Sequence, residues 1–281
     1  MEIRQLVPDD AAQLEAFLSA HRDSSMLLRS NARRAGLVYQ GQPFQAHYVG
    51  AFRGAELVGV AAQASSGMLL LQAPGFAEEL ARACVDSNQR RVAALTGPLT
   101  QVHQAAAALQ LDLETANFRS HEWLYGLDLS GLIVPTALTT GSVVCRAPHP
   151  VEHDTLCAWR LAYDIELFAA TDTAQTRQRA VSVLQQQISD GDAWVALEGG
   201  APVSLSAFNA ALPDIVQLGG IYTPPELRGR GFAKVAVAAA LLAARERGAE
   251  RAVLFTSNPS AVRTYEALGF RRIGDYALVF L

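Results

Sequence analysis

The order of predicted elements runs through the chain twice, and this repetition restricts the fold more than any single motif does. Residues 2–7 (EIRQLV) read as a strand, Pro8-Asp9-Asp10 opens a helix to about Ala20, and Ser24 to Ala35 is a second helix stopped at Gly36. HYVGAFRGAELVGVAA reads as two strands around the turn Arg53-Gly54, and GMLLLQA is a third. Pro74-Gly75 then leads into a helix to about Ser87, RRVAALT is a strand, LTQVHQAAAALQL is helical, and strand-like sequence from Glu114 through HEWLYGLDL ends the half.

The second half keeps that order. SVVCRA (142–147) is a strand, Pro150 to about Ala169 a helix, and Thr171-Asp172 caps another helix to Ser189. A hairpin around Gly199-Gly200 and the strand IVQLGGIYT follow. After PPELRGR come an Ala-rich helix from Gly231 to Arg247, the strand RAVLFTS, the helix PSAVRTYEAL and the final strand FRRIGDYALVFL. YVGAFRGAELVG aligns with WVALEGGAPVSL at an offset of 146, and AALQL with EALGF at 159, so the second copy carries insertions. Meanders joined by strand–helix–strand crossovers predict a mixed α/β fold, two domains each with a mostly antiparallel sheet flanked by helices. SGLIVPTALTTG has no helical period, which sets the expected bounds at 1–130, a linker at 131–141, and 142–281.

Charge narrows the function classes. The 281 residues carry 23 basic and 27 acidic side chains, net −4, with no basic block, so a cationic nucleic-acid face is not expected. Lys234 is the only lysine, which excludes a G-K-[ST] phosphate loop. Cys84, Cys145 and Cys157 form no C-x-x-C pair, and His149 and His153 are separated by Pro150, so neither a metal nor a disulfide framework is expected. The acidic start MEIRQLVPDD and the short apolar run Val235–Ala244 argue against a signal peptide or a bilayer span, and the expectation is a cytoplasmic protein.

The segment LGGIYTPPELRGRGFAKVAVAAALLAA carries the chemistry. Gly229 and Gly231 permit positive φ at the entry to a helix, whose N-terminus offers unpaired N–H groups and a partial positive charge. Arg228 and Arg230 add donors suited to phosphate oxygens, and together these predict a pyrophosphate cradle. A dinucleotide fingerprint is rejected, because Lys234 stands where a small residue is required.

On these residues the sequence resembles the GNAT family of acyl-CoA-dependent N-acyltransferases. Arg228, Gly231 and Ala233 match its Q/R-x-x-G-x-G/A coenzyme motif, and Asn258, Tyr265 and Gly269-Phe270 are similar to its N-x(6)-Y-x(3)-G-F stretch. The resemblance implies acetyl-CoA as cosubstrate, held by Gly220, Ile221, Tyr222, Arg228, Gly229, Arg230, Gly231, Phe232, Ala233 and Asn258. It implies a wedge opened by the Gly219-Gly220 bulge, whose N–H groups near Gly220 and Ile221 polarise the thioester carbonyl; the pair also suits a bulge that only curves the sheet. Tyr265 is the expected hydrogen-bond donor to the departing thiolate, and also suits an aromatic core position. Glu166 and Asp164 are the acceptor-site carboxylates, with Glu166 favoured because it shares a helix face with Trp159 and Tyr163; a solvated face suits either one. The first half has LLLQAPGFAEEL in place of the loop and Ala106 in place of the tyrosine, so it reads as a degenerate copy. The implied reaction is acetyl transfer to a primary amine of a small molecule or peptide by direct attack, in a possible homodimer. The alternative is a non-catalytic acyl-CoA-binding or scaffold protein.

Overall fold

The computed structural model describes residues 1–281 as two compact units, Met1–Leu124 with Ile273–Leu281, and Tyr125–Arg272. The chain begins β1 (Glu2–Gln5), α1 (Ala11–Ala20), α2 (Met26–Ala35), β2 (Ala46–Arg53), β3 (Glu56–Ala64) and β4 (Met68–Gln72). It continues α3 (Ala77–Asn88), β5 (Ala94–Pro98), α4 (Leu99–Ala108) and β6 (Phe118–Asp128). Then come α5 (Thr136–Thr139), β7 (Val144–Arg146), α6 (His153–Phe168), α7 (Ala174–Ser189), β8 (Ala193–Glu198), β9 (Ala201–Ala211) and β10 (Ile215–Tyr222). The last elements are α8 (Phe232–Glu246), β11 (Arg251–Thr256), α9 (Pro259–Glu266) and β12 (Arg271–Phe280). No helix is long and apolar enough to cross a membrane.

In the first unit β1 to β4 are antiparallel neighbours, and β4 runs parallel to β5 from Met68↔Ala94 to Leu70↔Thr96. Strand alternation sorts the side chains between two helical layers. Val49, Ala51, Leu69 and Leu71 meet Leu80, Cys84 and Val102 of α3 and α4, whereas Tyr48, Phe52, Val60 and Leu70 meet Leu14, Leu18 and Leu28 of α1 and α2. The second unit uses the same plan. β7 to β10 are antiparallel, β10 is parallel to β11, Val195 and Leu205 face Leu156 and Leu184 of α6 and α7, and Ala196 and Val203 face Phe232 and Val235 of α8. The mixed, mostly antiparallel α/β fold is as expected.

Each unit also carries one local device just ahead of its first long helix. Arg4 donates twice to Asp10 at 2.7 Å, and Asp10 accepts from the Val7 N–H at 2.8 Å. Arg146 donates twice to Glu152 at 2.9 and 2.6 Å, and Glu152 accepts from the His149 N–H at 2.7 Å. The arginine hydrogen bonds hold both carboxyls below their ordinary range.

Two boundaries differ from those expected. The stretch 131–141 belongs to the second unit: it contains α5, whose Ala137 and Leu138 pack beside Phe232, and the Ile133 N–H donates to Leu268 O at 3.0 Å. Pro and Gly signalled the turns, while the tertiary contacts that order the stretch leave no periodicity. The final strand, counted by sequence with residues 142–281, pairs antiparallel with β5 from Tyr276↔Pro98 to Phe280↔Ala94. Its alternation predicts a strand but not which edge it joins.

Candidate active site

β10 and the loop after it place the expected cradle. The ladder between β10 and β11 extends only from Ile215↔Arg251 to Gln217↔Val253, and β10 shifts register against β9 between Gly219 and Tyr222. The β10–β11 ladder thus stops at Gln217, just ahead of the Gly219-Gly220 bulge where the sequence sets the wedge. Gly220 has φ +68°, a conformation costly for any other residue. A turn at Pro225–Leu227 then delivers Gly229 (φ +77°) and Gly231 (φ +85°), the latter as N-cap of α8. The first bond returned by the helix is from Val235 N–H to Gly231 O at 3.2 Å, and no hydrogen bond within the chain uses the N–H groups of Gly229 to Lys234. A Cβ at Gly229 would meet nothing within 4 Å, and one at Gly231 only Lys234 Cε at 4.0 Å. Both glycines thus serve backbone conformation, and the amide row they aim is uncovered. Such a row at a positive helix end is complementary to a pyrophosphate.

The arginines of the loop are already engaged. Arg228 donates twice to Glu166 at 2.9 and 2.6 Å and through Nε to Thr223 O at 2.9 Å, and Arg230 donates to Glu198 at 2.6 Å. Arg228 lies 5.6 Å from the Tyr222 ring centre and Arg230 4.6 Å from that of Phe232. The side chains of the Arg228–Glu166 pair are 42% and 51% exposed, so the pair is worth about 0–1 kcal/mol and a phosphate can displace the carboxylate cheaply. This corrects the face assigned to Glu166. The buried stripe of α6 is Leu156, Arg160 and Asp164, while Glu166 faces outward onto Arg228 of the loop after β10. A charged pair at i, i+4 occupies the inward face, and an apolar-stripe argument passes over it. Arg160 was missed for the same reason, although R-L-A-Y-D carries the i, i+4 signal.

α9 holds Tyr265. Asn258 is its N-cap, the side-chain Oδ1 accepting from Ser260 N at 2.8 Å and Ala261 N at 3.4 Å, and Pro259 starts the first turn. Tyr265 is 8% exposed and meets Phe270 edge-on with ring centres 5.8 Å apart. Its hydroxyl makes no hydrogen bond within the chain. Burial, reinforced by Tyr163, raises the phenol above its ordinary pKa, so it remains a protonated donor at neutral pH.

The profile of the acetyltransferase (GNAT) family matches residues 159–270, which contain the Gly219-Gly220 bulge, the amide row, Glu166 and Tyr265. The matched segment is therefore similar to the GNAT acetyltransferases over about two fifths of the chain. A stretch of 55 residues is 44% identical to an acetyltransferase of Agrobacterium fabrum; it is 20% of this chain, and the chain spans only 40% of that relative's length. Over the whole chain, similarity to solved structures is one of fold. An N-acetyltransferase from Kribbella flavida is 18% identical with TM-score 0.61, covering 94% of this chain and 95% of that one. One from Sphaerobacter thermophilus is 16% identical with TM-score 0.59, covering 99% and 94%. A tandem GNAT protein from the clavulanic acid biosynthesis pathway is 14% identical with TM-score 0.56, covering 100% and 98%.

The first unit lies outside the matched segment, and the connection after β4 is built differently from that after β10. The Ala73 N–H donates to Gln101 Oε1 at 2.7 Å, and Ser24 Oγ donates to Gln72 Oε1 at 2.7 Å. A Cβ at Gly97 would sit 2.9 Å from Leu71 O, so β4 and β5 stay in contact one residue past their last ladder pair, Leu70↔Thr96. Glu78 and Glu79 occupy the first turn of α3, where their charge complements the helix end and repels a phosphate.

Proposed function

We propose that the chain is an N-acetyltransferase that moves an acetyl group from acetyl-CoA to a primary amine of a small molecule or peptide, with its chemistry in the second unit. The observation that carries this reading is the uncommitted amide row from Gly229 to Lys234 after the end of the β10–β11 ladder. In this reading the row holds the pyrophosphate, and Arg228 and Arg230 exchange their carboxylate partners for phosphate oxygens. The backbone of Gly220, Ile221 and Tyr222, beyond the end of the β10–β11 ladder, receives the pantetheine amides, and Gly220 and Ile221 N–H groups stabilise the carbonyl oxygen as it gains charge. Bound acetyl-CoA supplies the activated acyl group: the amine nitrogen bonds to the thioester carbon, the C–S bond breaks, and the proton lost by the amine ends on the thiolate. Tyr265 donates a hydrogen bond to the sulfur.

Other roles belong to the same reading. Glu166, released from Arg228, is the candidate counter-ion or base for the acceptor ammonium, and Asn258 positions α9 and so Tyr265. The first unit is a degenerate copy of the second without a coenzyme site, and the chain functions in the cytoplasm, as a monomer or a homodimer. A second reading, coenzyme binding without turnover, is favoured by one observation: Glu166 and Asp164 are both paired with arginines. Titration calorimetry with acetyl-CoA, followed by thiol release with an amine panel, separates the two. One site per chain and amine-dependent thiol release support the enzyme, two equal sites refute a silent first unit, and binding without release selects the second reading.

A further inference from the structure

The inward stripe of α6 contains one residue that an ordinary core does not accept. Arg160 is 7% exposed, Nη2 donates to Asp164 Oδ1 at 2.8 Å, and the guanidinium carbon lies 4.8 Å from the centre of the Tyr163 ring. Nε and Nη1 are both buried without a hydrogen-bond partner. An arginine presents five N–H donors, and leaving them dry is costly unless something completes them. Nη1 is aimed at the strand bulge: a Cβ on Gly220 would stand 2.8 Å from it, and would approach the Ala207 methyl at 3.8 Å and Gln187 Nε2 at 3.9 Å. A glycine at this point thus lets an unspent cationic donor lie directly against the backbone that, in the proposed reaction, carries the thioester.

The chemistry of the missing partner follows. It must be an acceptor, and anionic, because a charged donor in a poorly solvated place discriminates strongly for charge. A phosphate dianion would meet the buried Asp164 carboxylate on the same guanidinium. A carboxylate brings one charge and matches the planar fork.

We propose that Arg160 is a specificity-determining residue that receives a substrate carboxylate beside the Gly220 bulge. The carboxylate belongs to an acceptor amine that is itself a carboxylic acid, or to an acyl group that ends in one. The inference rests on the acyltransferase reading and leaves its bond changes as written: the carboxylate is bound, not consumed.

The test uses the full chain, Arg160→Gln, and the double variant Arg160→Met with Asp164→Leu, which removes both buried charges and leaves no unpaired acid. Thermal unfolding establishes that each variant is folded. One arm measures by calorimetry, with CoA present, the affinity of N-acetylglycine, N-acetyl-β-alanine and N-acetylglutamate against their primary amides, and kcat/KM for the parent amines. The other arm compares succinyl-CoA with acetyl-CoA. The wild-type chain is expected to favour the carboxylate in one arm by about 10–100-fold, falling below about threefold in both variants. Preference in the first arm assigns the carboxylate to the acceptor, and in the second to the acyl group. Equal affinity in both arms, or a preference that survives both variants, overturns the proposal. A wild-type chain that binds neither thioester overturns the acyltransferase reading, and this proposal with it.

Discussion

Replacing Tyr265 by Phe separates catalysis from packing with unusual clarity. The ring and its edge contact with Phe270 at 5.8 Å are retained, and no hydrogen bond within the chain is lost. Stability is therefore expected to change by less than about 0.5 kcal/mol, since a net hydrogen bond would be worth about 0.5–1.5 kcal/mol. At about 2–4 °C per kcal/mol for a unit of this size, Tm moves by about 2 °C or less. Proton transfer from an ordinary phenol to a thiolate already runs about 1.5 pKa units uphill, or about 2 kcal/mol. Burial raises the Tyr265 phenol further and widens that gap, so the role proposed for the hydroxyl is that of a hydrogen-bond donor and not of the acid. A charge-assisted hydrogen bond is worth about 1.5–3 kcal/mol, which sets the expected fall in kcat at about 10–150-fold. Acetyl-CoA affinity by calorimetry should barely move. Steady-state thiol release and differential scanning fluorimetry on the same preparations provide the comparison. A fall in kcat below threefold, or a Tm loss beyond about 4 °C with kcat preserved, assigns Tyr265 to the core and refutes the reasoning.

Gly231→Val forces a β-branched residue to φ +85° at the head of α8; roughly 1–2 kcal/mol of strain moves the loop, and acetyl-CoA affinity should drop at least about tenfold. Unchanged affinity by calorimetry would show that the amide row is not the phosphate site. Glu166→Gln removes the carboxylate that competes for Arg228, so acetyl-CoA should bind up to about fivefold tighter; weaker binding would mean that Glu166 holds Arg228 ready for the phosphate. Glu152 has its carboxyl lowered by Arg146, so its contribution is fully present above about pH 4 and disappears as pH falls through the lower folded value. Glu152→Gln should lower Tm by about 3–6 °C at pH 7 and by progressively less below pH 4; a pH-independent difference in scanning calorimetry rules out the linkage.

Much of the site was legible because its signals are local. Gly229, Gly231 and the alternating strands follow from backbone conformation and from pleat geometry within a few residues. What escaped depends on partners far along the chain. Glu166 reaches Arg228 across 62 positions, and nothing near Glu166 announces it. The sequence offers Asp164 as an acceptor-site carboxylate and passes over Arg160, because charge on an inward face contradicts the apolar-stripe rule, and only the fold reveals that the two are paired. Asn258 matched a coenzyme motif and is seen capping its own helix, a role that the sequence N-P-S supports equally well.

The pairing of β12 with β5 gives the first unit an unusual schedule. Residues 94–98 leave the ribosome well before their antiparallel neighbour, which is translated roughly 180 residues later. During synthesis β5 therefore presents a bare strand edge, a template for stray pairing with other nascent chains. The second unit's sequence can emerge and collapse while the first is still waiting for its final strand. A nascent chain cut short before residue 273 would lack that strand altogether, so the first unit depends for its completion on residues made after the whole of the second.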